Sequence, residues 1–549
     1  MIETEVHQRL RAYLQAQGQT QWPHHLTMAR LVARALRVGR SALMQVDSLA
    51  AYQGSYRLSY LIPALLWPEP AILALPEKIL ETVLWQDIPN LQQGLPVVKA
   101  VCSGDRWPTE GANQDPNSSF RGLLVTSAEA WLRDRLTPNL SPQTPRFPPG
   151  IVTLIDGVSD LERWARSQLS HALCAQDWDL LMLAYPNLRD RLRDFRVRLT
   201  HAVFQHPVNP YGAHLIEAPE KALLNELIET LEEQGEGDQM PLRWARFWQQ
   251  FLQPERLAWA SLDRTSGSVT LHCAPAEICH QLASVWAQQP VVLIGAALDP
   301  RPKAEQYRDR LGLGEMTCLS FGPDRHHDSL QLYVPDHLPM PNTSQFKAAA
   351  LQEIRALLSA QGATAAPTVI IIGDVPLRDQ FAAILAAEFG SRVRVESPVE
   401  EQGILITGWE YWRSHRAGCS TGLAAHATAP GLLIITTLPI PSLENPLVAG
   451  RVASYKRRRQ DWFKAYLLPS AISELQQAVA PVRSRRYLSG QINDQINDPL
   501  NDHSHREPSG GIVALLDNRL NYRSYGHQIL AALEPALRSS HLNEEWFIK

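Results

Sequence analysis

Two hydrophobic rhythms alternate along this chain. Short apolar runs recur at Ala42-Leu43-Met44 with Val46, Ala71-Ile72-Leu73-Ala74-Leu75, Leu123-Leu124-Val125, Ile151-Val152-Thr153-Leu154-Ile155 and Val291-Val292-Leu293-Ile294. Runs of this length without polar alternation predict strands buried on both faces, as in a parallel sheet. Between them the spacing turns helical. Met28, Leu31, Val32 and Leu36 share one face of a helix that Gly39 closes, and Phe346, Ala349, Ile354 and Leu357 share another. Trp22-Pro23-His24-His25 separates two helices within residues 1–40. Strands alternating with helices predict an α/β protein with helices on both sheet faces. A second series begins near residue 329 and includes Thr368-Val369-Ile370-Ile371-Ile372, Ile404-Leu405-Ile406, Leu432-Leu433-Ile434-Ile435 and Ile512-Val513-Ala514-Leu515-Leu516. Residues 163–265 read as helical and polar, while 487–508, which repeat Gln-Ile-Asn-Asp twice, read as a flexible insertion.

Composition changes this picture little. At 549 residues, with roughly 100–200 per domain, the chain holds about three or four domains. With 45% hydrophobic and 20% charged residues it can bury a sizeable core. A net charge of −4 gives no global attraction for nucleic acid, so any such contact rests on local patches. The six cysteines, Cys102, Cys174, Cys273, Cys279, Cys318 and Cys419, form no C-x-x-C pair, which points to a reduced, cytoplasmic setting and against structural zinc. His326-His327 has no further ligands beside it, so no metal site is expected. The start, Met-Ile-Glu-Thr-Glu, is not a secretory signal, and no apolar run approaches the ~20 residues of a membrane span.

Candidate chemistry begins between the first strand and its helix, at Ala51-Tyr52-Gln53-Gly54-Ser55-Tyr56-Arg57. A nucleotide-binding α/β domain carries there a glycine-rich loop ending in Lys-Ser or Lys-Thr. The segment that follows, Leu58-Ser59-Tyr60-Leu61-Ile62-Pro63-Ala64, resembles the helix behind the phosphate loop of DinG/XPD-type superfamily 2 helicases. Matched on it, the lysine place holds Tyr56 and the Ser/Thr place holds Arg57, so Gly54, Ser55, Tyr56 and Arg57 form a degenerate loop. His25 or His24 falls near the family's adenine-reading glutamine, against the plainer reading of an exposed helix-start histidine. Asp87-Ile88-Pro89 resembles part of motif Ia. Where many relatives place four cysteines around an iron–sulfur cluster, residues 100–120 offer Cys102 alone, so no cluster is expected. At motif II, Asp156 remains, but Gly157 stands for the catalytic glutamate and Ser159 for the histidine, while Asp160 and Glu162 read as first-turn helix acids. Motif III's hydroxyls are replaced by Gly295 and Ala297. Tyr411-Trp412 resembles what is left of motif V. At motif VI, Gln477 is kept and Pro481 takes the place of the first arginine.

The resemblance implies two tandem RecA-like parallel-sheet domains, the P-loop NTPase/helicase fold, with a helical insertion in the first. The implied division is 1–162 and 271–328 for the first domain, 163–270 for an arch-like insertion, and 329–549 for the second domain. It also implies a partner, single-stranded nucleic acid, with DNA favoured, or proteins of DNA metabolism. Basic candidates in the second domain are Arg457, Arg458 and Arg459, then Arg483 and Arg485. Arg189 to Arg198, with Trp244, Phe247, Trp248 and Trp259, could line a strand path, against the plainer reading of a solvated charged face with the tryptophans in the core. The family is an ATP-dependent DNA helicase, yet the motifs here resemble inactive versions. ATP and Mg²⁺ are expected only if the degenerate site still binds them. The leading expectation is a nucleic-acid-binding pseudo-helicase accessory to DNA repair or replication. The alternatives are an active helicase with an atypical nucleotide site and a protein-interaction scaffold.

Overall fold

A computed structural model describes residues 2–17, 22–95, 99–108, 120–136, 146–233, 240–323, 330–361, 366–399, 402–416, 429–484, 511–543 and 546. The apolar runs become strands β1 (Ala42–Val46), β2 (Ala71–Leu75), β3 (Val101–Ser103), β4 (Leu123–Ser127) and β5 (Thr153–Asp156). After a middle segment the chain returns with β10 (Val291–Ala296) and β11 (Thr317–Ser320). These seven strands form one sheet in the order β11-β1-β10-β5-β2-β4-β3, with every pairing parallel. β1, β10 and β5 lie side by side and parallel, so the segments that follow them, where the sequence singles out Gly54 to Arg57, Ala297 and Asp156 to Ser159, open at the same sheet edge. Helices cover both faces, one cluster holding Met28, Val32, Tyr60 and Ile62, the other Trp131, Trp164, Leu282 and Tyr307. Gly39, at φ 63°, ends the helix His25–Val38 in the left-handed conformation that favours glycine.

The second sheet holds β12 (Leu330–Tyr333), β13 (Thr368–Ile371), β14 (Val393–Val395), β15 (Ile404–Thr407), β16 (Leu432–Ile435), β17 (Ile512–Leu515) and β18 (Ala536–Ser539). Its order is β14-β15-β13-β16-β17-β12-β18, again all parallel. The insertion expected at 487–508 lies outside the described residues.

Two expectations are corrected. The middle segment is helical only in part, because β6 (His171–Leu173), β7 (Ala213–Leu215), β8 (Arg256–Asp263) and β9 (Ser268–Pro275) build a four-stranded antiparallel sheet, order β6-β9-β8-β7. Leu173, Ala260, Leu271 and Cys273 of that sheet join Trp178, Trp244, Phe247 and Trp248 in one core, so those rings pack inside. The loop at 51–57 is also mostly helix: Ser48–Gln53 is α-helical and Ser55–Arg57 is a 3₁₀ turn leading into Leu58–Leu66.

Candidate nucleotide site and domain junction

Asp47 decides the path of the chain after β1. Its carboxylate accepts the Ala50 N–H at 2.7 Å and the Trp22 indole N–H at 3.1 Å, capping the helix Ser48–Gln53. The Ala51 N–H donates to Asp47 O and the Arg57 N–H to Gly54 O, so these groups are paired within the turn rather than turned toward a ligand. Gly54 has φ 70°, and a Cβ there would stand 2.6 Å from Arg57 Cζ. The Arg57 guanidinium thus lies directly over the Gly54 backbone. It is buried, with Nη1 3.4 Å from the Asp87 carboxylate.

Beside it, Tyr56 and Tyr60 are buried and converge on Asp156 at the end of β5. Tyr56 donates to Oδ1 at 2.5 Å, Tyr60 to Oδ2 at 2.8 Å, and the Gly157 N–H to Oδ1 at 2.7 Å. Burial pushes the Asp156 carboxyl up, opposed by the Tyr56 hydroxyl and the Arg57 charge. Burial, then the Asp156 charge, drives both tyrosine hydroxyls well above their ordinary value, so they stay protonated donors. Gly157 has φ 70°, and a Cβ on it would come 2.5 Å from Pro76 Cγ, so a glutamate there requires Pro76 to shift. Ser159 follows in the short 3₁₀ turn Val158–Asp160. A Cβ on Gly295 would meet Val158 Cγ2 at 2.9 Å and Ser159 N at 3.1 Å, so the glycine in β10 lets this turn sit on the strand.

His25 is buried, not exposed. Its Nδ1 lies 3.0 Å from Ser59 Oγ, and burial pushes its pKa down to about 4, leaving the ring neutral at pH 7. Nε2 of His24 contacts Gly322 O at 3.1 Å instead.

Gln477 and Pro481 both lie on the helix Leu468–Ser484, which packs against Ser48–Gln53 from the second domain. Gln477 Nε2 donates to Ser473 Oγ at 3.2 Å on the same helix, and Pro481 is buried. A cavity of about 440 Å³ opens at this junction, lined among others by Gln45, Asp47, Phe321, Gln476 and His527.

The basic candidates separate. Arg457 and Arg459 are exposed and form no ion pair among the described residues. Arg458 pairs with Glu277 at 2.8 Å across the junction. Arg483 is corrected as a strand contact: it is buried, and its guanidinium donates to the carbonyls of Leu533 and, at 2.9 Å, Pro535. Arg485 lies outside the described residues. Sequence reasoning missed the centre of the junction. Glu162, read only as a first-turn helix acid, takes Arg166 at 3.0 Å, Arg451 at 2.5 Å and Arg310 at 3.6 Å. Burial would raise its carboxyl, but Arg451, Arg166 and Arg310 hold it well below the usual range. Arg451 also lies 3.9 Å over the Tyr466 ring. No local pattern announces this contact, since Glu162 and Arg451 are 289 residues apart.

Among the described residues no group of three or more His, Cys, Asp or Glu could hold a metal ion, and no helix is long and apolar enough to cross a membrane.

Two tandem parallel-sheet domains of seven strands each, flanked by helices, define the RecA-like helicase class of folds. Comparison narrows this. No protein-family profile matches the chain. It is 25% identical over 299 residues to the ATP-dependent DNA helicase YoaA of Escherichia coli (strain K12), covering 52% of this chain and 42% of that protein. The YoaA of Haemophilus influenzae is 22% identical over 289 residues, covering 50% and 40%. The match thus spans about two fifths of these relatives' length. Among solved structures, an XPD helicase superposes with a TM-score of 0.57 at 11% identity over 95% of this chain and 100% of that one. Xpd4 of S. tokodaii gives 0.55 at 9% identity, over 94% and 99%. Over about half its length the chain is thus similar in sequence to the YoaA DNA helicases, and in fold it is similar to XPD helicases.

Proposed function

We propose that this chain is a pseudo-helicase: it binds nucleic acid, DNA in the first place, without ATP-driven unwinding, as a cytoplasmic accessory of DNA repair or replication. The observation that carries this reading is the closed contact of Tyr56, Tyr60 and Asp156, with Arg57 over Gly54. A Mg²⁺-bound triphosphate needs a lysine at the β/γ-phosphates and a hydroxyl on the metal. Tyr56 and Arg57 occupy those places, and the carboxylate of Asp156 is already engaged by two phenols. Gly157 cannot orient a water, and Pro481 cannot answer developing charge on a γ-phosphate. An arginine in that role contributes about 10³–10⁵ in rate in phosphoryl transfer. The residues therefore do not fit the family's ATP and Mg²⁺. Nucleic-acid binding is supported by the relatives named DNA helicases and by the free cations Arg457 and Arg459.

The test is ATP turnover by the full chain with and without single-stranded DNA, alongside direct titration with a fluorescent ATP analogue. Background turnover and no saturable nucleotide binding are expected. DNA-stimulated hydrolysis that disappears in Asp156→Ala refutes the reading and favours an active helicase with an atypical site.

A further inference from the structure

The middle segment carries a groove that the nucleotide reading leaves unused. It encloses about 600 Å³ between the helix Arg189–Phe204 and the β8–β9 hairpin. Arg193, Arg196 and His201 line it, and no acidic residue does. Val197, 60% exposed, and Val269 supply aliphatic surface. The helix carries five arginines against Asp190 and Asp194. Arg193 pairs with Asp190 at 3.2 Å and Arg196 with Asp179 at 3.0 Å, on exposed carboxylates whose hold is weak and exchangeable.

The hairpin adds a backbone contribution. Ala258 and Leu262 of β8 bond toward β7, so the odd-numbered residues of β8 bond to the even-numbered residues of β9 opposite them. Odd-numbered residues of β9 then turn their N–H and C=O the other way. β6 meets them at Leu271 and Cys273 and goes no further, because Ala175 already begins a helix. Val269 therefore offers a donor and an acceptor beyond the end of β6, at the groove wall.

We propose that this groove docks an extended acidic segment of a partner protein, with an aliphatic side chain seated on Val197 and Val269 and carboxylates on Arg193 and Arg196. Single-stranded nucleic acid fits less well, because bases stack on flat rings. Of the two aromatic rings that line the groove, Trp178 packs in the core and Phe204, half-buried, already carries Arg264 over its ring at 5.5 Å, while Trp259 is stacked on His272. The proposal is independent of whether the nucleotide site works.

The experiment uses the full chain and a fluorescein-labelled peptide of about eight alternating Glu and Val residues, read by anisotropy at low salt. The matched Lys/Val peptide and a thymidine 20-mer serve as comparisons. Salt-sensitive saturation is expected, weakened at least tenfold by Val197→Asp and by Arg193→Glu with Arg196→Glu. Arg457→Ala with Arg459→Ala should leave it unchanged. These side chains are at the surface, and circular dichroism checks that the variants fold. Absence of saturation, equal binding of the Lys/Val peptide, indifference to the groove variants, or displacement by the thymidine 20-mer each overturns the proposal.

Discussion

Replacing Glu162 by glutamine keeps shape and removes one charge. The side chain sits between Arg166 of its own helix, Arg310 of the same domain and Arg451 of the second domain, and each is at least four fifths buried. Near a protein surface a unit-charge pair at 4 Å interacts by about 4 kcal/mol before desolvation. Glu162→Gln loses three such attractions and leaves three cations repelling one another, while Arg166 keeps the Pro275 and Ala276 carbonyls. Removing one partner of a buried ion pair costs about 3–5 kcal/mol, and the same cost is expected here. With urea slopes of about 3 kcal/mol per molar or somewhat more for a chain of this size, the unfolding midpoint should fall by on the order of 1 M. Glu305→Gln breaks the exposed Arg301–Glu305 pair and should change stability by no more than about 0.5 kcal/mol. A second sign follows from the same reasoning. Arg451→Met in the Glu162→Gln background removes an unpaired buried cation and should raise stability relative to Glu162→Gln alone. A Glu162→Gln shift no larger than that of Glu305→Gln, or a further loss on adding Arg451→Met, refutes the claim that this cluster fastens the two domains.

Two further outcomes are expected. His25 is held neutral by burial, then by His24, at a pKa of about 4, while the unfolded chain protonates near 6.5. Between those values the unfolded state holds the proton, so stability present above pH 6.5 is lost as pH falls, by about 2 kcal/mol at pH 5. Urea unfolding at pH 7 and pH 5 should show this, and His25→Gln should lose that part of the pH dependence. If single strands bind through the second domain, Arg457→Ala with Arg459→Ala should weaken binding and flatten the log–log salt slope by up to about 1.4, at about 0.7 per phosphate contact. An unchanged slope places the strand elsewhere.

Legibility in the sequence followed the physics of each element. β1, β2, β4, β5, β10, β13, β15, β16 and β17 are buried on both faces almost throughout, so each is a mainly apolar run, interrupted at a few places such as Gln45 in β1 and Asp156 in β5, and was read as a strand. β6 and β7 are three residues long, and β8, Arg-Leu-Ala-Trp-Ala-Ser-Leu-Asp, is mostly half-buried, so no such run marks the antiparallel sheet. The helix Ser48–Gln53 did leave a signal, in Asp47 as a cap before Leu49-Ala50-Ala51, but the expectation of a phosphate loop overrode it. Positions 56, 57, 156, 157, 477 and 481 could be named from the sequence. Their partners could not, because Tyr60 and Asp87 lie in segments that carry the resemblance, yet nothing local says that they meet Asp156 and Arg57.

Those partners act together. A carboxylate at the end of β5 with no cation near it would be a buried bare charge, costing several kcal/mol. Two phenols and the Gly157 N–H answer it, with Arg57 contributing charge. Arg57 reaches its place only because Gly54 has no Cβ, and Asp87 lies within reach of it. Gly157 in turn admits Pro76, whose ring would collide with any larger residue there. Putting lysine at position 56 therefore does not rebuild a phosphate site. It removes one of two phenols from Asp156 and sets a second cation beside Arg57, while position 157 still has no room for a glutamate unless Pro76 moves.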